Sequence, residues 1–150
     1  VSADLTLNLE RTYAASPDRV FDAWTSEEVL RRWFHSEREW DTPEASVDLR
    51  VGGEVRVVMR NPETGAEYGG GGRYTEIDPP RRLAFTWLWD DFGTRTLIQL
   101  DFTETADGGT TVQFTHTGLW DEQTVRDHED GWNRCFNNLA EVLGGEEAAG

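Results

Sequence analysis

The segment from Asp121 to Leu143, DEQTVRDHEDGWNRCFNNLAEVL, constrains the fold more than any other stretch of the chain. Val125, His128 or Glu129, Trp132, Phe136, Leu139 and Leu143 recur at three- and four-residue steps, which predicts a helix with one apolar stripe. A helix of roughly 20 residues is about 30 Å long. Its stripe needs a large apolar surface to lie against, and seven strand-like segments upstream can supply it.

Leu5, Leu7, Leu9, Arg11 and Tyr13 alternate with polar residues, predicting a first strand with one wet side. Ser16-Pro17 then opens a helix, with Ser16 as N-cap and Pro17 at the first helical position, where its missing N–H costs nothing. Val20, Phe21 and Trp24 face inward from it. Thr25 and Glu28 have capping-box spacing and predict a second short helix with Val29, Leu30, Trp33 and Phe34 inward. After a polar connection around 37–45, six strands are expected near 46–50, 54–60, 67–77, 82–89, 96–105 and 110–117. They are separated by Gly52-Gly53, Asn61-Pro62 with Gly65, Asp78-Pro79-Pro80, Asp90-Asp91-Phe92-Gly93 and Asp107-Gly108-Gly109. Loops this short make an antiparallel meander, and helices on one side of it make the class α+β. One domain over 1–150 is expected, with a core at about 5–143 and a frayed acidic tail at 144–150.

The run Gly69-Gly70-Gly71-Gly72 is not followed by GK[ST] or by a helical pattern, so it is not a phosphate loop. Inside a strand pattern it predicts a bend or bulge.

Strand alternation separates two faces. Val55, Val57 and Met59, then Leu83, Phe85, Trp87 and Trp89, then Ile98, Leu100 and Phe102, then Val112, Phe114 and His116 should face the long helix. Arg56, Arg60, Arg73, Gln99, Asp101, Gln113 and Thr115 should be mostly solvated. Seven tryptophans and seven phenylalanines are enough rings to line a pocket as well as to fill a core.

Asp and Glu outnumber basic residues 29 to 14, and every basic residue is arginine. A net charge of -15 argues against nucleic-acid binding and against docking on an anionic membrane. Solubility with coding bias accounts for this composition, and adaptation to a salty cytoplasm is the alternative. No apolar run reaches the length of a membrane span and no signal segment is evident, so a cytoplasmic location is expected.

Polar chemistry is sparse. His116 ends an inward series and needs a partner, His128 lies near Trp132 on the helix, and His35 follows Trp33-Phe34, where a positive ring suits a helix C-terminus. These histidines are far apart, without HExxH or paired cysteines, so neither a metal nor a cofactor is expected. The single Cys135 has no patterned histidine beside it. Glu54 and Arg56 read as an exposed salt link.

Five ordered segments carry a family likeness: ASPDRVFDAW at 15–24, LRRWF at 30–34, DLRVGG at 48–53, YTEIDPPRRL at 74–83, and HEDGW at 128–132 with Leu139. Over residues 7 to 143 the chain resembles the bacterial relatives of the C-terminal domain of the Hsp90 ATPase activator Aha1, in the START/Bet v 1-like (SRPBCC) superfamily. The resemblance implies a helix-grip fold: a curved antiparallel sheet around the C-terminal helix, with two short helices closing one end. It also implies an apolar cavity between sheet and helix, for which Met59, Phe85, Trp87, Trp89, Phe114, His116, Trp132 and Phe136 are the candidate lining. It transfers no catalytic residue, because fold alone does not set chemistry. The expected function is binding of a small hydrophobic or aromatic molecule, by a monomer or homodimer. One alternative is a polyketide cyclase- or hydrolase-like enzyme, with His116, His128 or Glu129 moving the proton. The other is a stress-related or chaperone-associated interaction module.

Overall fold

The computed structural model describes residues 5–35, 39–91 and 93–143. The expected acidic tail at 144–150 lies outside the described residues, as do 36–38 of the polar connection and Phe92 of the fifth breaker. The elements run β1 (Leu5–Tyr13), α1 (Pro17–Thr25), α2 (Glu27–Trp33), β2 (Asp41–Val47), β3 (Glu54–Arg60), β4 (Glu67–Asp78), β5 (Arg82–Trp89), β6 (Thr96–Glu104), β7 (Thr110–Leu119) and α3 (Glu122–Val142). All strands join one antiparallel sheet in the order β1-β7-β6-β5-β4-β3-β2. The class is α+β, and the two short helices carry the chain from one sheet edge to the other.

The helix ends follow from their caps. Ser16 Oγ accepts from Arg19 N–H, with Pro17 and Asp18 in the first turn of α1. α2 is capped by Ser26, whose Oγ accepts from Val29 N–H at 3.4 Å, and not by Thr25 as its spacing to Glu28 suggests. The Thr25 hydroxyl is already committed, donating back to Phe21 O at 3.0 Å. Asp121 caps α3 by accepting from Thr124 N–H at 2.7 Å.

The second strand is the main departure from expectation. Asp41–Val47 pairs with β3, while 46–50 mostly forms the turn that leads into it. Pro43 and the acidic residues mask the strand pattern. Proline is tolerated because β2 is an edge strand, and the register slips between Asp41 and Glu44, around that residue. Thr42 and Ala45 are its buried residues.

The glycine run does not hold the bulge. β4 is continuous through it, and its register shift lies between Tyr74 and Glu76. The glycines instead admit close neighbours. A Cβ on Gly70 would lie 2.8 Å from the Trp87 ring, and one on Gly72 would fall inside contact distance of Thr86 O.

α3 is held to the rest mainly through its C-terminal half. Tyr13 Oη donates to Phe136 O at 3.4 Å, and Arg11 donates to Asn137 Oδ1 at 2.7 Å. Asn138 Nδ2 donates to His35 O at 3.0 Å and to Trp33 O at 3.4 Å. Trp132, Cys135, Phe136, Leu139 and Leu143 are buried along the stripe. At the choice left open by the spacing, His128 faces inward and Glu129 is exposed.

Candidate ligand cavity

The anchored half of α3 rests on β1 and α2, and its N-terminal half bounds a cavity of about 430 Å³. The sheet contributes Met59 from β3, Tyr68 from β4 and Trp89 from β5. Phe34 follows α2, Trp40 precedes β2 and Trp120 follows β7. From α3 come Thr124, Asp127, His128, Gly131, Trp132 and Cys135. The wall is mostly carbon, with few polar groups.

Met59, Trp89 and Trp132 are thus the expected lining residues that reach this cavity. Phe85, Trp87, Phe114, His116 and Phe136 do not; they are buried in the core beneath or beside it. Phe114 packs against Trp132 at 4.8 Å between ring centroids and against Phe136 at 5.3 Å. Phe85 stands edge-on to Trp87 at 6.1 Å. The cause is the pair of short helices, which drive Trp24, Trp33 and Phe34 into the same space. Phe34 wedges between Trp87 at 5.5 Å and Trp132 at 5.3 Å. Strand alternation says which way a ring points, not what covers it.

Trp40, Tyr68, Trp120 and Asp127 were not among the sequence candidates. Trp40 and Tyr68 stack at 5.4 Å with planes 8° apart. Trp120 is set by the turn before β6: Gly93 has a φ of +82°, and a Cβ there would overlap the Trp120 ring. The available signal was position, since Trp40, Trp120 and Tyr68 all sit at or beside strand ends.

The hydrogen-bond partners of His116 and His128 fix the tautomer of each ring. Trp132 Nε1–H donates to His116 Nδ1 at 3.3 Å, so the His116 proton lies on Nε2 and points to Thr96 Oγ1 at 2.7 Å. Thr96 Oγ1 in turn donates to Trp87 O at 2.8 Å. His116 is 0 % exposed, and burial, with a smaller contribution from His128, lowers its pKa to about 3. Trp89 Nε1–H donates to His128 Nε2 at 3.1 Å, which leaves His128 Nδ1–H to Thr124 O at 2.9 Å. Burial also depresses the His128 pKa. The two imidazoles meet edge to face at 5.3 Å.

Of the proton-transfer candidates, His128 lines the cavity, His116 lies behind it, and Glu129 points to solvent. His35 is buried rather than positive at a helix end. Its Nδ1 bonds Thr42 Oγ1 at 2.9 Å, and burial pulls its pKa below the ordinary value. Cys135 touches the cavity, but burial pushes its thiol up to about 12, far from a reactive thiolate. Glu54, exposed, and Arg56, half-buried, are in separate links, Glu54 with Arg73 and Arg56 with Asp90 and Glu44. Among the described residues no three His, Cys, Asp or Glu side chains are grouped to hold a metal ion. No helix among them is long and apolar enough to cross a membrane.

A seven-stranded antiparallel sheet gripping one long helix, with a cavity between them, defines a helix-grip protein of the SRPBCC type. The chain belongs to the family described as activator of Hsp90 ATPase homolog 1-like protein, whose model matches residues 14–144. Its fold is similar to that of a protein from Chromobacterium violaceum, with a TM-score of 0.85 at 23% identity over 94% of this chain and 98% of that one. The AHSA1 protein from Silicibacter pomeroyi matches with a TM-score of 0.80 at 29% identity, over 94% and 97% of the two chains. An Hsp90 activator from Plasmodium falciparum shares the fold with a TM-score of 0.76 at 21% identity, over 96% and 99%. No protein of curated function matches the chain.

Proposed function

We propose that this protein is a non-catalytic binder of a small hydrophobic or aromatic molecule, held between the N-terminal half of α3 and the sheet. The observation that carries this reading is the cavity itself: about 430 Å³, walled by aromatic rings and Met59, within the size range of small-ligand sites. A titration of small hydrophobic and aromatic compounds followed by tryptophan fluorescence tests it. Trp89, Trp120 and Trp132 would report occupancy as a saturable change. No response across a broad panel would count against the reading.

The enzyme alternative has less support from the same geometry. His128 is the one proton-transfer candidate in the wall, and both of its ring nitrogens are already bonded, to Trp89 and to Thr124 O. A general base needs a lone pair within reach of its substrate. The interaction-module alternative draws on the family's name and on the Plasmodium falciparum relative described as an Hsp90 activator. Stimulation of an Hsp90 ATPase by the purified chain would support it.

A further inference from the structure

We propose that the ligand this cavity selects is a small organic cation, an alkylammonium or quaternary ammonium group with apolar arms. This inference rests on the binding function proposed above and names its chemical class.

Trp40, Tyr68, Trp89, Trp120 and Trp132 come from five separate parts of the chain and share one cavity wall. Aromatic faces carry negative quadrupole potential, and a cation within about 6 Å of several ring centroids is attracted by each of them. The N–H groups of Trp89 and Trp132 are spent on His128 and His116, so those two rings offer a guest carbon and π density rather than donors.

The one carboxyl side chain in that wall belongs to Asp127, an exposed residue. Asp127 lines the cavity, and no arginine lines it among the described residues, although the chain has 14. Three carboxylates away from the cavity are paired with arginine: Asp90 with Arg56 at 2.7 Å, Asp41 with Arg60 at 2.6 Å, and Asp101 with Arg82 at 2.8 Å. Asp127 accepts from the Gln123 amide at 2.9 Å and has no ion pair among the described residues. His128, which shares that wall, holds its proton on Nδ1 and has its Nε2 taken up by the Trp89 N–H. A carboxylate ligand would meet Asp127 with no positive partner, whereas an ammonium would complete its charge.

The test compares benzyltrimethylammonium with neopentylbenzene, which has the same shape with carbon in place of the charged nitrogen. Binding is measured calorimetrically to the full chain in high salt, where a Debye length of a few ångströms screens the general field of the protein. The cation should bind about tenfold or more tightly than its neutral counterpart. Asp127→Asn should cut that preference by about threefold or more, while Glu104→Gln, the same charge change at the far end of β6 from Thr96, should leave it intact. Equal binding of the two compounds, or tighter binding of the neutral one, would overturn the cation inference and leave the binding function standing. A preference unaffected by Asp127→Asn, or equally reduced by Glu104→Gln, would also overturn it. Binding of neither compound would overturn the cation inference, while the binding function would stand or fall by the broader fluorescence panel.

Discussion

The indole N–H of Trp132 donates to His116 Nδ1 at 3.3 Å and ties the gripped helix to the last strand through a fully buried bond. The bond starts a row of three, continued by His116 to Thr96 and by Thr96 to Trp87 O, so that β5, β6, β7 and α3 meet at one imidazole. A buried polar row is tolerated only when each member is satisfied, and here each member is. His116 is therefore a structural tie between helix and sheet.

Replacing Trp132 with Phe keeps a ring in place and removes the donor. The His116 Nδ1 lone pair then stays buried without a partner, which costs about 1–3 kcal/mol beyond the packing lost with the smaller ring. Urea unfolding at neutral pH should show the loss as a lower midpoint. A midpoint equal to that of the parent would mean the bond contributes nothing.

The same burial predicts how stability depends on pH. The folded His116 pKa is about 3 and the ordinary value is 6.5, so between these limits the unfolded chain takes up a proton that the folded chain refuses. Stability is fully present above pH 6.5 and is lost as pH falls toward 3. At pH 4.5 this residue alone should account for about 3 kcal/mol. His35 and His128, also lowered mainly by burial, add in the same direction. Urea midpoints from pH 7 to 4.5 should fall steadily in the parent and less steeply in His116→Gln. A flat profile in the parent would contradict the placement of all three rings.

The fold was largely legible because its signals are periodic. The α3 stripe and the alternation of β5, β6 and β7 each report a buried face, and the caps at Ser16 and Asp121 mark helix starts. β2 escaped because an edge strand can carry Pro43 and acids that a central strand cannot. The cavity was legible only in part, since Trp89 points inward by strand alternation and Trp132 by the helical stripe, but alternation turns Trp87 and Phe114 inward as well. What separates lining from filling is the depth reached by Phe34, Trp24 and Trp33, a tertiary property with no period. Trp40 and Trp120 lie in connections, where neither helical nor strand spacing assigns a direction.

Trp89 governs the second histidine in the same way that Trp132 governs the first. Its N–H bond to His128 Nε2 favours the neutral ring, so Trp89→Phe should raise the His128 pKa toward its ordinary value, with Asp127 assisting. NMR titration of the imidazole signals separates His128 from His116, which should stay unprotonated through the same range. A His128 titration unmoved by Trp89→Phe would show that burial alone sets its state.

The glycines of β4 should be ranked by what stands over them rather than by their number. A Cβ on Gly72 would collide with the backbone oxygen of Thr86, which belongs to a paired strand and cannot swing aside. Gly65 has a φ of +77° with nothing within 4 Å of an added Cβ, so alanine there meets only the left-handed backbone penalty, about 1–2 kcal/mol. Gly72→Ala should therefore cost more than Gly65→Ala, about 3 kcal/mol or above, because the β4–β5 ladder must shift to admit the methyl group. Gly70→Ala falls between them, since its obstacle is the Trp87 side chain and an indole can tilt. Thermal unfolding of the three variants gives the order directly. If Gly65→Ala proves the most damaging, the close approach of β5 to Gly72 is not what the glycine run provides.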